Sequence, residues 1–416
     1  MKLEINRKDW IIERLGDFAI SEKGKKPKNQ SETETEEFKY PYVDIQGFEK
    51  KIFDSYTDGV KCNFCTEDDF LMVWDGSRSG LVGKAVAGAI GSTLVKINLP
   101  MIENHFAYYF LKSKYLEINT NAKGTGTPHV NPDLLWNYSF PIVPTLEQKA
   151  IVAKIEQLFS ELDNAVANLK TAQAKLKIYR QAVLKKAFEK NHPMKKFGNI
   201  ANIQRGKSKH RPRDDEKLFG GNYPFIQTGE VRAANGKIIR NYSKTYSEFG
   251  LSQSKLWKAG TLCLTIAANI ADTAFLGFDA CFPDSVVGIE SDENLDMKFV
   301  NYYIQKIKQE IDRDASATAQ KNINVAYLEK LEIPYPSIKK QNQIVQEIES
   351  RLSVCDKIEE TIETSLAKSE ALRQSILKKA FEGKLLNEQE LENIKNHPEY
   401  ESAEALIKRI KNERDK

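Results

Sequence analysis

The phrase RQAVLKKAFE (Arg180–Glu189) returns almost unchanged as RQSILKKAFE (Arg373–Glu382), 193 positions later. Self-similarity at a fixed offset marks a duplicated architecture, and this offset is far longer than a solenoid period. The match runs back without a gap. LEQKAIVAKIEQLFSELD (Leu146–Asp163) lies over KKQNQIVQEIESRLSVCD (Lys339–Asp356), with identities at Gln148/Gln341, Ile151/Ile344, Val152/Val345, Ile155/Ile348, Glu156/Glu349 and Asp163/Asp356. Fainter matches continue upstream at Phe106/Phe299, Tyr109/Tyr302, Asn131/Asn324 and Pro141/Pro334. Each copy also starts alike, GDFAISEKGK (Gly16–Lys25) against GNIANIQRGK (Gly198–Lys207), at an offset shorter by about ten residues, a difference that loops tolerate. The chain reads A-B-A′-B′, with B well matched and A poorly matched.

In B, Ile151, Ile155, Leu158, Leu162, Val166, Leu169, Leu176, Val183 and Ala187 recur at steps of three and four or their sums, the stripe of an amphipathic helix. B′ repeats it with Ile344, Ile348, Leu352, Cys355, Ile358, Ile362, Leu366, Leu372, Ile376 and Ala380. Pro144 and TLEQ, with Thr145 as cap and Gln148 reaching back, predict the first helix start. Asn191–Pro193 and Gly383 predict the two exits. A helix from Leu146 to Ala187 measures on the order of 60 Å, about twice the diameter of a small domain. Such a stripe needs cover, and the other copy can supply it by returning antiparallel. The predicted helix–helix contacts are Ile151, Ile155, Leu158, Leu162, Val166 and Leu169 with Ile344, Ile348, Leu352, Cys355, Ile362 and Leu366.

The fold class expected is α+β: two globular α/β domains joined by two long antiparallel helices forming a coiled coil, with an internal pseudo-twofold. The boundaries are 1–143 for the first domain, 144–191 for its helix, 192–335 for the second domain, 336–384 for its helix, and 385–416 for a tail expected to contact a partner. In A and A′, short alternating runs such as TLCLTIAANIADTAFLGF (Thr261–Phe278) read as strands, and HFAYYFLKSKYLE and KFVNYYIQKIKQEI as closing helices.

At 416 residues the chain has room for two or three domains. Its net charge of +4 is too small to argue for an anionic partner, so the distribution of charge matters more. Five cysteines, an odd and sparse set, predict reduced thiols. CNFC (Cys62–Cys65) has no second pair to complete a zinc site, and no metal is expected. No apolar run approaches the ~20 residues of a membrane span, and MKLEINRKDW lacks a signal core, so a cytoplasmic protein is expected. GLVGKA lacks the spacing of a phosphate-binding loop, and no G-x-G-x-x-G follows a strand. NLPM misses the proline pair of an amino-methyltransferase, and no nuclease acid pair is evident. No catalytic residue is expected.

Basic residues in A and A′ cluster with turn formers. QRGKSKHRPR (Gln204–Arg213) carries Arg205, Lys207, Lys209, Arg211 and Arg213, and EKGKKPK (Glu22–Lys28) carries Lys23, Lys25 and Lys26. Loops of this kind suit phosphates, while nearby amides and hydroxyls can read base edges. Further DNA-binding candidates are Arg78 and Ser79 in DGSRSG, Gln227 and Thr228 in YPFIQTGE, and Arg232, Asn235 and Lys237. The loops before each long helix add Lys123, Thr125 and Thr127 in AKGTGTPH, and Thr318, Lys321 and Asn322 in ASATAQKN. A solvated charged loop is the plainer account of any one of them. The acidic SETETEE (Ser31–Glu37) is expected to be a mobile excursion away from a polyanion.

Two variable domains, each opening with LGD or FGN and a G-K loop, closing at FPIVPTLEQKAIV or IPYPSIKKQNQIV, and followed by a helix ending LKKAFE, resemble the specificity subunit of type I restriction-modification enzymes. The tail SAEALIKRIKNERDK (Ser402–Lys416) is similar to that family's C-terminus. The resemblance implies that A and A′ are target recognition domains and B and B′ the helical spacer. It implies binding to double-stranded DNA at one asymmetric bipartite site. Partners would be two methyltransferase subunits and two restriction subunits, and S-adenosylmethionine, ATP and magnesium would sit on those partners. A rival expectation is a duplicated coiled-coil scaffold that binds proteins without DNA specificity. A compact DNA-modifying enzyme is a third.

Overall fold

The computed structural model describes residues 7–316 and 322–414. They form two compact units, one of residues 7–169 with 364–414, the other of 170–316 with 322–363.

In the first unit the strand Ile11–Arg14 pairs antiparallel with Ser139–Ile142, so the ends of the first domain close on each other. After the turn Leu15–Asp17 comes an antiparallel sheet in the order Ile20–Lys23, Leu94–Asn98, Phe70–Val73, Val82–Lys84. Phe70–Val73 is buried throughout, which explains an unbroken apolar run in place of alternation. A second sheet gathers Gln30–Ser31, Tyr56–Thr57, Tyr40–Val43, Gly88–Ile90 and Phe64–Cys65. The acidic stretch is not a free excursion. Ser31 pairs with Tyr56, and Thr35 and Phe38 close a turn through two hydrogen bonds.

The second unit repeats the frame. Met194–Lys196 pairs with Glu332–Pro334, the turn Phe197–Asn199 follows, and the sheet runs Asn202–Arg205, Val286–Glu290, Leu262–Thr265, Thr273–Leu276. A parallel strand, Ile238–Ile239, is added at the edge. Gly24 and Gly206, the glycines of the paired G-K motifs, occupy equivalent places. A Cβ at Gly24 would lie 2.1 Å from the Gly91 carbonyl oxygen, and one at Gly206 2.3 Å from that of Pro283. Both positions need glycine because backbone passes directly over backbone.

The long helices span Thr145–Ala187 and Ile338–Phe381. Their starts are fixed by one glutamine each, though not as a capping box. Gln148 Nε2 donates to the Val143 carbonyl at 2.6 Å and its Oε1 accepts from the Glu103 amide at 2.7 Å. Gln341 makes the same two bonds, to Pro336 and from Asp296, each at 2.9 Å. Both glutamines are fully buried, and each ties its helix to the helix that closes its own domain, Asn104–Ser113 or Met297–Ser316.

Within each unit the start of one long helix runs antiparallel to the end of the other. In the first, Arg373 meets Asp163 while Lys154 meets Glu390 at 3.1 Å. In the second, Arg180 binds Asp356 at 2.6 Å and Glu359 at 2.9 Å. Arg180/Arg373 and Asp163/Asp356 are repeat equivalents, so the same pair is made twice with the helices exchanged. The repeated phrase then delivers an aromatic plug. The ring of Phe381 stands edge-on to Phe106 and Phe110, at 5.2 and 5.3 Å. The ring of Phe188 stands edge-on to their equivalents Phe299 and Tyr303, both at 5.2 Å.

This geometry modifies the expected seam. Ile151 and Ile155 are buried in one cluster with Phe106, Ile376, Leu377 and Phe381, so they face domain and partner helix together. Ile344 and Ile348 do likewise with Leu184 and Phe299. Leu158 and Leu162 border the first cluster and Leu352 the second. Cys355 and Ile362 are buried, whereas Val166, Leu169 and Leu366 are half-buried. A large ring inserted at each end makes the packing three-sided there.

The tail is likewise built into its own chain. Its helix Ala403–Arg414 buries Leu406, Ile407 and Ile410 in the first unit's core. Lys395 reaches Asp9 at 3.3 Å, and Arg7 links Asp9 to the buried Glu147. These contacts set the apolar face of the tail helix against its own chain.

Replacing a fully buried ring leaves a cavity, so Phe381→Ala is expected to cost about 3–5 kcal/mol. Phe188 is only half-buried, and Phe188→Ala is expected to cost less. Urea unfolding of the two purified variants beside the parent chain checks the ranking.

Candidate nucleic-acid interface

In the first unit the neighbouring strands Phe70–Val73 and Val82–Lys84 are joined by the hairpin loop Trp74–Leu81. The Gly76 amide donates to the Pro128 carbonyl at 2.7 Å, and Asp75 bridges to His129, which seats the AKGTGTPH loop on the hairpin. Lys23 Nζ donates to Asp75 at 2.8 Å. Three segments remote in sequence therefore converge at one end of the sheet, carrying Lys23, Arg78, Lys123, Thr125 and Thr127. Thr125 and Thr127 are exposed. Arg78 pairs with Glu49, and Lys123 with Asp133 at 2.7 Å. Lys25 and Lys26 are exposed and form no ion pair among the described residues.

Ser79 does not belong to this surface. It is fully buried, its carbonyl accepts from Asn119 at 3.0 Å, and its hydroxyl has no partner among the described residues. The cause lies next door: Gly80, at φ 89°, folds the loop down onto Ile118.

The second unit assembles corresponding segments. The hairpin Ile266–Asp272 joins Leu262–Thr265 to Thr273–Leu276. The Ile323 amide donates to the Ile266 carbonyl at 3.1 Å, and the Ile266 amide to Ser285 at 3.0 Å. Beside Ser285, Asp284 takes Arg205 on its carbonyl and Arg213 on its carboxylate, the latter at 2.7 Å. Arg232 Nη1 donates to Asn269 on the hairpin at 2.8 Å. The basic loop is thereby held against the same end of the sheet as the hairpin.

That loop is fastened along its length. The Lys209 amide donates to the Gln253 carbonyl at 3.1 Å, and Ser254 Oγ to the Lys207 carbonyl at 2.8 Å. Arg211 folds back on the Ser208 and His210 carbonyls. His210 Nε2 lies 2.7 Å from the Asp215 carboxylate. The Lys217 amide, and then His210, hold the Asp215 carboxyl below the usual carboxylate range, so it stays anionic. Lys207 and Lys209 remain exposed on a preformed backbone.

Other candidates are placed elsewhere. Gln227 precedes the helix Thr228–Ala234, where Glu230 accepts from its amide at 3.1 Å, and Thr228 is in the first turn. Asn235 ends that helix at φ 45°, and Lys237 turns to Asp356 on the second long helix at 2.8 Å. Asn235 and Lys237 line a cleft against the long helices rather than the hairpin surface. Asn322 is half-buried and engaged, while Thr318 and Lys321 lie outside the described residues. Sequence reasoning missed Asn269, Asp284 and Lys255. Lys255 lies 3.5 Å over the Trp257 ring and binds Gln204 at 2.8 Å. A lysine two residues before a tryptophan was the only available signal.

Cys65 is buried with its thiol toward the Val86 and Gly88 carbonyls, and burial pushes that thiol up to about 11. Among the described residues no group of three His, Cys, Asp or Glu side chains is placed to hold a metal.

The family model for the type I restriction modification DNA specificity domain matches residues 7–171 and again 189–368. The MjaVIII specificity subunit of Methanocaldococcus jannaschii is 26% identical over 376 residues, covering 82% of this chain and 86% of that protein. The EcoBI specificity subunit of Escherichia coli is 25% identical over 384 residues, covering 83% and 80%. Among solved structures, a chain from work on complex assembly and conformational transition of the type I R-M system has a TM-score of 0.73 at 18% identity, covering 91% of this chain and 99% of its own. The HsdS subunit of Thermoanaerobacter tengcongensis gives 0.54 at 17% identity, covering 91% and 98%. At those identities the likeness is one of fold. With most of its length matched by two successive copies of one domain, the chain belongs to the family of type I restriction-modification DNA specificity proteins.

Proposed function

We propose that this chain is the DNA-specificity subunit of a type I restriction-modification enzyme, and that each recognition domain reads one half of an asymmetric bipartite site. The observation that carries this reading is a duplicated frame bearing unlike loops. The frame contacts of Gln148, Asp163 and Phe188 recur at Gln341, Asp356 and Phe381. At equivalent hairpins, by contrast, DGSRSG stands where the second domain has AANIAD. Equal frames present two readers alike, and unlike loops give them different sequences to read.

The helical spacer sets the distance between the half-sites. Helices of 43 and 44 residues measure on the order of 65 Å. Half-sites about one DNA turn apart, ~34 Å, present the same groove face, so a fixed rod acts as a ruler. Linking two weak readers also raises affinity through effective concentration. The well-matched helices dock two methyltransferase subunits, and two restriction subunits join for cleavage. S-adenosylmethionine belongs to the former, ATP and magnesium to the latter, and this chain does no chemistry itself. No described helix is long and apolar enough to cross a membrane.

Exchanging Met194–Ile333 for the equivalent domain of a relative is expected to change one half-site of the methylated sequence and leave the other intact. Genome-wide mapping of methylated bases reads the result, and a change in both halves, or in neither, removes the modular reading. Removing about one turn from each long helix is expected to alter the gap between half-sites in the same assay. Lys207→Ala with Lys209→Ala is expected to weaken binding to all DNA and to lower the slope of log affinity against log salt by about 1 per lysine. A titration with the parent slope discharges that loop, and a scaffold without DNA specificity shows no such slope at all.

A further inference from the structure

We propose that the second recognition domain reads a guanine with Arg232, and that Asn269 is the positioning residue that orients its guanidinium. This rests on the DNA-specificity reading above and names the base recognised at one point of it.

The hairpin Ile266–Asp272 is strained at its tip. Ala268 and Ala271 adopt φ of 64° and 57°, a region unfavourable to a residue with a Cβ. Strain of this kind persists only where its surroundings fix it, and it concentrates at functional sites. Here the fixing is visible. Thr265 Oγ1 donates to the Asn269 carbonyl, the Asp272 amide donates to Thr265 Oγ1 at 3.0 Å, and the Ala271 amide to the Thr265 carbonyl at 2.9 Å. Lys308 clamps the Asp272 carboxylate. The result is a rigid tip that holds the Asn269 side chain at the surface beside Arg232.

Arg232 differs from Arg78 and Arg213. Like Arg205 and Arg211 it has a neutral acceptor, but theirs are backbone carbonyls where that of Arg232 is a side-chain amide. Arg78 is bound to Glu49, and Arg213 to the Asp284 carboxylate. Arg232 is exposed and forms no ion pair among the described residues; its partner is the neutral amide oxygen of Asn269. A neutral acceptor orients the planar fork without cancelling its charge. The guanidinium N–H groups of Arg232 that Asn269 does not engage are donors only, and the exposed side chain can offer two of them side by side. In the major groove guanine offers two acceptors, O6 and N7, whereas adenine and cytosine each place an amino donor there. An all-donor fork selects guanine. If Arg232 only touched a phosphate, its loss would weaken every sequence alike.

The test uses the full chain, expressed with the methylating subunits of its system in a host without such methylation, and maps methylated bases across the genome. For Arg232→Ala and Asn269→Ala, one guanine in the half-site governed by residues 192–335 is expected to become degenerate, with roughly a tenfold loss of preference. The other half-site and the gap stay as in the parent. Asn269→Asp keeps the side chain's shape but pairs Arg232 with a charge and removes the Nδ2 donor, so it is expected to relax the same guanine, while continued reading of the other half-site separates lost orientation from lost folding. An unchanged sequence, relaxation at a base other than guanine, or a uniform fall at all sites overturns the proposal. A parent chain that directs no bipartite methylation overturns the underlying functional reading as well, and that result is distinct from the other three.

Discussion

A helix of more than forty residues with one apolar stripe must find cover along its length, and everything else in this molecule follows from where it finds it. Near its start each long helix leans on the domain it leaves. Near its end it enters the other unit and inserts a phenylalanine against the closing helix there, Phe188 against Phe299 and Phe381 against Phe106. Each unit's core is therefore completed by a helix end that belongs, in sequence, to the opposite half of the chain. Phe381 has Phe110 and Phe140 within the same buried cluster, so the plug is part of the domain core rather than an ornament on it.

The arrangement assigns different duties to different residues. Gln148 and Gln341 fix where the helices begin, and the exchanged pairs Arg373–Asp163 and Arg180–Asp356 fix their mutual register. Residues with these duties are shared by the two copies because the duty is the same. The exposed side chains of the hairpins and of the loops before the long helices carry no such shared duty, and there the copies differ. Among the described residues the second unit alone adds a lysine to its register pair, Lys237 through Asp356, which ties the end of the helix Thr228–Ala234 to the spacer.

What the sequence made legible was periodic or repeated. The stripe of B announced the long helices, and the offset of 193 announced that they are paired equivalents. The three-sided packing at their ends was not legible, because an apolar position at helical spacing does not say which neighbour it faces. Ile151 and Ile155 look alike in sequence whether they meet a helix or a domain. The interface was legible only as composition. Arg205–Arg213 announced itself by charge, but nothing in DGSRSG says that Gly80 turns Ser79 inward, and nothing in NGK says that Lys237 turns toward Asp356. Asn269 escaped because its place depends on a strained hairpin that AANIAD does not advertise.

One property of the interface bears on how this protein would travel. Several of its cations, among them Lys23, Arg78, Lys123 and Arg213, already rest on carboxylates of the same chain. A phosphate must displace an acid to reach them, so the gain from touching arbitrary duplex is small. On the proposed reading, such a surface would let go of wrong sequence quickly and keep the time spent on each false address short. Masked charge thus favours a fast search over a firm first grip.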